Sequence, residues 1–273
     1  MLTLKESEKS RGVIVFAFNT KIDYVGIADE TCKLISHNLN LPVTLVTDLD
    51  STPKFKYDRI IRIDNKDTSN FRRTANNETI VWRNVGRYLA YELSPYDETI
   101  LLDTDYLVLD DNLLKLFETE FEYKLMHVNQ TPDGITVDVM GETSLPFVWA
   151  TVLLFRKSNK AKLLFGLVSR IERNYNYYRQ LYNIREGNYR NDYAFAIANN
   201  ILSGYSINAS QSIPWPMLSL FRTLESIKFE NNFLKVSHDN TATVIAKQNV
   251  HILDKAYLQT DNFKELVRTI CES

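Results

Sequence analysis

The feature that most constrains this chain is the run Thr99-Ile100-Leu101-Leu102, which passes without a break into Asp103-Thr104-Asp105 and on into Tyr106-Leu107-Val108-Leu109. A strand with almost nothing polar on either face needs cover on both, and that places it inside an α/β sheet. Two carboxylates at i and i+2 then sit at a strand exit between apolar segments, where unpaired charge is costly. Such a pair suits a divalent cation, because Mg²⁺ and Mn²⁺ prefer oxygen ligands and often take one or two protein carboxylates with phosphate and water. A turn residue pair after a strand is the plainer reading of the same spacing.

The preceding segments fit an open, mainly parallel sheet. Gly12–Phe18 reads as a buried strand ending at Asn19-Thr20. Tyr24, Ile27, Ala28, Thr31, Leu34, Ile35 and Leu39 recur at helical spacing, and Pro42–Thr47 and Arg59–Ile63 are the next strands, ending near Asp48 and at Asp64. In such sheets ligands bind in the crevice at the strand C-termini, so Asn19, Asp48 and Asp64 are expected to line one mouth. The stretch 66–79 reads as a loop, Val81–Leu93 as a helix, and Leu113–Phe117 as a short helix. Further on, Leu125–Val128, Ile135–Met140 (after a Pro132-Asp133-Gly134 turn) and Phe147–Phe155 read as strands. Lys160–Tyr182 and Asp192–Ser203 read as helices, the second stopped by Gly204. Short strand-like runs, a Pro-Trp-Pro loop at 214–216 and a closing helix complete the chain, without internal repeats or linkers.

With 273 residues, 44% hydrophobic and 24% charged, the chain suits one compact globular domain. A net charge of −2 gives no overall attraction for a polyanion. The two cysteines, Cys32 and Cys271, match no metal or disulfide spacing and suit a reducing cytosol. MLTLKESEKSRG lacks the apolar core of a signal peptide, and the longest apolar run, Leu145–Phe155, is well short of the ~18 residues of a membrane span. The expectation is a soluble, cytoplasmic protein.

Trp82-Arg83-Asn84, Tyr88-Leu89-Ala90, and Tyr96 through Asp103-Thr104-Asp105-Tyr106-Leu107-Val108 together resemble the helix–strand–DxD block of GT-A glycosyltransferases, especially glycogenin-like ones. Residues 12–48 are similar to their first strand, helix and second strand ending in Thr-Asp. The resemblance covers the first 110 residues or so well and the remainder in outline. It implies a GT-A (Rossmann-like) α/β fold with a mixed, mainly parallel sheet flanked by helices in a single compact domain. About 12–110 would form the nucleotide-sugar-binding half and about 111–273 the acceptor-binding half. It implies a metal-dependent transfer from a nucleotide-sugar donor, UDP-linked in the family's usual case, with Mn²⁺ or Mg²⁺ neutralising the departing diphosphate. Retention and inversion both remain open, with the glycogenin-like flavour on the side of retention.

Carried over position by position, Phe18 and Asn19 would approach base and ribose and Asp48 the base. Arg83 or Arg87 would reach the diphosphate or donor sugar. Asp103 would meet ribose, sugar or metal, and Asp105 would be the firmer metal ligand. The family adds a C-terminal His; His251 in Val250-His251-Ile252-Leu253-Asp254-Lys255 leads, with Lys255 near the phosphate, although the family's glycine between His and Lys is missing. His238 is the competitor, and His37 and His127 read as structural. Asn191-Asp192-Tyr193 resembles the family's acidic motif, with Asp192 positioning the donor and acceptor or taking the acceptor proton. Its bland alternative is a helix cap. Trp149, on the strand facing the sugars, could stack on a ligand or belong to the core.

Between Arg170 and Tyr193, five arginines (170, 173, 179, 185, 190) interleave with Tyr175, Tyr177, Tyr178, Tyr182, Tyr189 and Tyr193. Arginine with stacking aromatics suits single-stranded or flipped nucleic acid, while a solvated amphipathic helix explains the same pattern. Size and composition are also similar in style to small GT-A enzymes of T-even-like phages, some of which glycosylate hydroxymethylated DNA bases. Modified DNA therefore leads among acceptors, ahead of glycan or protein hydroxyls. Two readings from other classes stand beside this one. A haloacid-dehalogenase-like phosphotransferase also carries Asp-x-Asp after a buried strand, but wants Thr or Val where Leu107 stands and opens the chain with its motif. A catalytically inactive nucleotide-sugar-binding module would share the fold alone.

Overall fold

A computed structural model describes residues 9–65, 70–73, 79–137, 145–206 and 211–273. The chain opens with β1 (Arg11–Phe16), α1 (Tyr24–Leu39), β2 (Val43–Asp48) and β3 (Arg59–Ile63), as periodicity predicts. Asp23 caps α1 by accepting from the Gly26 amide, and Asn40 ends it in a left-handed conformation at φ 50°. The hairpin β4 (Phe71–Arg73) and β5 (Thr79–Val81) replaces part of the expected loop; 66–69 and 74–78 lie outside the described residues.

The helix expected over Val81–Leu93 is a correction. Val81 belongs to β5, a 3₁₀ segment covers Asn84–Leu89, and only α2 (Ala90–Leu93) is α-helical. Gly86, at φ −77° and ψ 22°, breaks the helical path. The kink leaves Arg87 buried at 1% exposure rather than on a solvated helix face.

Next come β6 (Glu98–Leu102), β7 (Tyr106–Leu107), a 3₁₀ turn at Asn112–Glu118, β8 (Tyr123–Met126), β9 (Asn129–Gln130) and β10 (Trp149–Arg156). The Thr131–Gly134 turn is present, with Gly134 at φ +80° and its amide bonded to the Thr131 carbonyl. Of the strand expected at Ile135–Met140, Thr136 forms an isolated bridge with Gln130, and 138–140 lie outside the described residues. The long helix expected at Lys160–Tyr182 is two, α3 (Asn159–Arg173) and α4 (Tyr175–Leu181). Asn174 parts them at φ −125° and ψ 32°, its amide side chain donating to the Arg170 carbonyl in competition with the backbone. Then follow α5 (Asn191–Leu202), β11 (Met217–Leu220), β12 (Ser226–Glu230), β13 (Phe233–His238), β14 (Thr241–Ala246), β15 (Val250–Ile252) and α6 (Asp261–Glu272).

Six strands form the central sheet in the order β3-β2-β1-β6-β10-β8, with β3, β2, β1 and β6 parallel and β10 antiparallel to both of its neighbours. The interior of β1 and all of β2 but its last residue are buried, as the uninterrupted apolar runs require. A smaller sheet has the order β7-β15-β11-β9, and β12-β13-β14 form an antiparallel meander. Helix α1 lies between two cores: Val25, Ala28, Cys32 and Ile35 face the central sheet, and Ile27 and Leu34 face the C-terminal elements. Helix α6 buries Phe263, Leu266, Val267 and Ile270 at helical spacing in that second core. The result is a single compact mixed α/β domain in which the C-terminal strand β15 pairs with β7, just past the exit of β6. No helix among the described residues is long and apolar enough to cross a membrane.

Candidate active site

At the exit of β6 the chain leaves the central sheet. The Asp103 amide donates to the Thr151 carbonyl on β10, and the turn closes through Tyr106 N–H to Asp103 C=O at 3.2 Å. Strand β7 then pairs antiparallel with β15, Tyr106 opposite His251, and the Ile252 amide donates to the Asp105 carbonyl. This pairing delivers His251 and Lys255, from nearly 150 residues later in the sequence, to Asp105.

His251 Nε2 lies 3.5 Å from Asp105 Oδ2, and Ser219 Oγ meets His251 Nδ1 at 3.2 Å, which fixes the ring. Lys255 Nζ pairs with Asp105 Oδ2 and also donates to the carbonyls of Ile252 and Leu253. Burial raises the Asp105 carboxyl, but Lys255 and His251 overcome it and hold the group well below the usual carboxylate range. Arg87 Nη1 pairs with Asp103 Oδ1. For Asp103, burial outweighs Arg87 and is reinforced by Asp105, so its carboxyl is pushed up to about 6.

These groups line one cavity of about 650 Å³, together with Phe18, Arg83, Trp149 and Asp192. Asn19, Asp48 and Asp64 line an adjoining one of about 290 Å³, and Arg83 borders both. The expected common mouth at the strand ends is thus present. Asn19 is held by its side chain accepting from the Val25 amide, and its carbonyl accepts from Arg83 Nη1 at 3.3 Å. Asp48 accepts from Ser51 Oγ at 2.6 Å.

Asp192 Oδ1 accepts from the Ala150 amide at 2.9 Å, and Oδ2 from Arg190 at 2.7 Å. The capping alternative is a correction: α5 has no side-chain cap. Asn191 is instead buried, donating to the Asn84 carbonyl and accepting from Tyr189 O–H at 3.0 Å. It ties α5 to the segment that carries Arg83 and Arg87, a link between distant positions that no local spacing encodes. His238 lies on the outer meander beside Thr241 and Asp239, remote from the aspartates by topology. Trp149 is buried edge-on to Phe147 yet borders the cavity, so it serves core and site together.

Among the described residues, buried side-chain atoms of four residues that line the main cavity have no hydrogen-bond partner: Nε of Arg83, Nε and Nη2 of Arg87, Oδ1 of Asn84 and Oδ1 of Asp105. Buried polar groups are almost always paired, so their convergence marks a surface completed by a polar ligand. The donors suit phosphate oxygens. Asp105 Oδ1, next to Asp103 and an oriented imidazole, suits a hard divalent cation. Among the described residues no group of three or more His, Cys, Asp or Glu side chains is arranged around a common metal position, and Arg87 and Lys255 engage the two aspartates.

No protein-family model and no curated protein matches the chain. Among solved structures, the galactosyltransferase LgtC in complex with donor and acceptor sugar analogs aligns over 96% of this chain and 95% of its own, with a TM-score of 0.50 and 13% identity. The glycosyltransferase GlyE of Streptococcus pneumoniae TIGR4 aligns over 75% of this chain at 13% identity and a TM-score of 0.40, and this chain spans 45% of its length. At these identities the likeness to LgtC is one of fold, the mixed α/β architecture of GT-A glycosyltransferases.

Proposed function

We propose that the protein is a metal-dependent glycosyltransferase that moves a sugar from a nucleotide-sugar donor, UDP-linked by family habit, to an acceptor hydroxyl. The observation that carries this reading is the convergence of unpartnered arginine nitrogens and carboxylate oxygen on one cavity at the exit of β6. The fold shared with LgtC supports it. The base and ribose lie toward Phe18, Asn19 and Asp48. Arg83, Arg87 and Lys255 face the diphosphate, where fixed positive charge favours the charge that builds as the sugar–phosphate bond breaks. Asp103, Asp105 and His251 would hold Mn²⁺ or Mg²⁺, which supplies Lewis-acid stabilisation of the same leaving group. The bond from the sugar C1 to the diphosphate oxygen breaks with its electron pair going to the diphosphate, a bond from C1 to the acceptor oxygen forms, and the hydroxyl proton passes to the departing diphosphate. Asp192, with both oxygens engaged, orients donor sugar and acceptor.

In this reading residues 12–110 carry most of the donor site and 111–273 most of the acceptor site, with His251 and Lys255 reaching back to the donor. The phosphotransferase alternative loses ground because β6 is preceded by three strands of the same sheet. The test is release of nucleoside diphosphate from a panel of UDP-, GDP-, CDP- and ADP-sugars with Mn²⁺, before and after chelation. We expect slow donor hydrolysis of one nucleotide class that stops with EDTA and returns with Mn²⁺. Hydrolysis of none, or insensitivity to chelation, contradicts the reading.

A further inference from the structure

The main cavity has a further stretch of wall that the donor reading does not use. It is bordered by Phe71, Trp82, Glu186, Asn188 and Tyr189. Trp82 stacks on Tyr189 with centroids 6.3 Å apart and planes 28° apart, and Tyr175 meets the same Tyr189 ring edge-on at 5.4 Å. Tyr189 is buried and its hydroxyl is bonded to Asn191. The Trp82 amide donates to the Asn70 carbonyl at 2.8 Å, at the base of the β4–β5 hairpin. The indole, half-buried, is therefore backed on one side by a fixed aromatic stack and opens toward the cavity. Phe71, 41% exposed, stands beside it on the hairpin.

Arg190 is committed to Asp192 through Nε and Nη2, an ion pair that cancels, and Glu186 adds one further carboxylate. A polyanion reaching this wall gains no free cation from Arg190 and meets the Glu186 carboxylate. A neutral ring with apolar C–H faces and hydroxyl edges meets complementary groups: the indole face for its C–H surface, Glu186 and Asn188 for its hydroxyls. Of the six tyrosines that suggested nucleic-acid stacking, Tyr175, Tyr189 and Tyr193 are buried in the core, while Tyr177 is exposed and Tyr178 and Tyr182 are half-buried. Of the arginines among them, Arg173 donates to the Ser169 carbonyl and Arg179 to Asn176 Oδ1.

We infer that the acceptor is a neutral carbohydrate, one pyranose ring of which lies on Trp82 with its hydroxyls toward Glu186 and Asn188. The inference rests on the donor reading of the same cavity, and its test separates the two. Saturation-transfer NMR on the full chain with UDP and Mn²⁺ would use methyl β-galactoside, methyl β-glucoside and lactose as probes, and a single-stranded oligonucleotide bearing 5-hydroxymethylcytosine as competitor. At least one glycoside is expected to receive saturation on one ring face. That signal should fall about tenfold in Trp82→Ala and survive in part in Trp82→Phe, while both variants still bind UDP calorimetrically. UDP binding without any glycoside signal, a signal unchanged in Trp82→Ala, or displacement by the oligonucleotide overturns the carbohydrate assignment and leaves the donor site standing. Loss of UDP binding in the unmodified chain removes the donor reading and this inference with it.

Discussion

Replacing Asp105 by asparagine is expected to lower sugar transfer by about 10³-fold or more, the size of effect seen when a single pre-organised electrostatic contact to a transition state is lost, about 4 kcal/mol. The isosteric change keeps the shape of a buried site but removes the charge that Lys255 and His251 face. Asp105→Ala should abolish transfer without unfolding the protein, at a cost in stability because the buried Lys255 loses its carboxylate partner. The sign of its acid dependence also follows. The folded-state carboxyl sits below its ordinary value, so its contribution to stability is present above the usual carboxylate pKa and fades as pH falls. The asparagine variant should lose that part of the pH dependence. Thermal melts between pH 3 and 7 alongside turnover measurements check both effects; unchanged turnover contradicts the assignment of Asp105 to the site.

A second large effect is expected at Glu98, far from the site chemistry. Its side chain is 2% exposed and joins three cations: Arg156 at 2.8 Å, Arg11 at 3.0 Å and Lys9 at 3.8 Å. The cluster spans paired strands, because Glu98 on β6 sits opposite Arg11 on β1 and Arg156 on β10. A buried charge with several partners does little better than a hydrophobic replacement of the whole set, but removal of one member leaves the others uncompensated. The arginines are partly exposed and recover some hydration, so Glu98→Gln should cost about 3 kcal/mol, at the lower end for a broken buried pair. Urea unfolding with an unchanged m-value would measure it. A loss below about 1 kcal/mol would show that water already screens the cluster.

The contrast between these two sites shows what could be read from the sequence. Strands β1, β2, β3 and β6 and helix α1 were legible within a residue or two: β1, β2 and β6 as unbroken buried runs, the edge strand β3 as a β-branched run, and α1 by its 3.6-residue pattern. The aspartates were legible from their place at the exit of an apolar strand, and their basic neighbours His251 and Lys255 only through family resemblance, since β7–β15 pairing joins positions with no local relation. The kinked segment at Asn84–Leu89 was misread as a regular helix. Its apolar positions fit helical spacing, while Gly86 and the buried Arg87 follow from the ligand cavity rather than from propensity. Asn174 divided the long helix for an equally local reason, a side chain competing for a backbone carbonyl. The Trp82–Tyr189 wall was invisible for a different reason. It is assembled from segments over a hundred residues apart, and the sequence placed Trp82 in the family-like block and Tyr189 in the arginine–tyrosine stretch with nothing to join them.

The most direct test of the central claim is calorimetric titration of UDP, GDP, CDP and ADP, each with and without Mn²⁺, into the unmodified chain and into Asp103→Asn/Asp105→Asn. The account predicts that one diphosphate binds tightly only with metal and that the double substitution abolishes this binding. Failure of every diphosphate to bind, or binding indifferent to both metal and substitution, would contradict a donor site at Asp103 and Asp105.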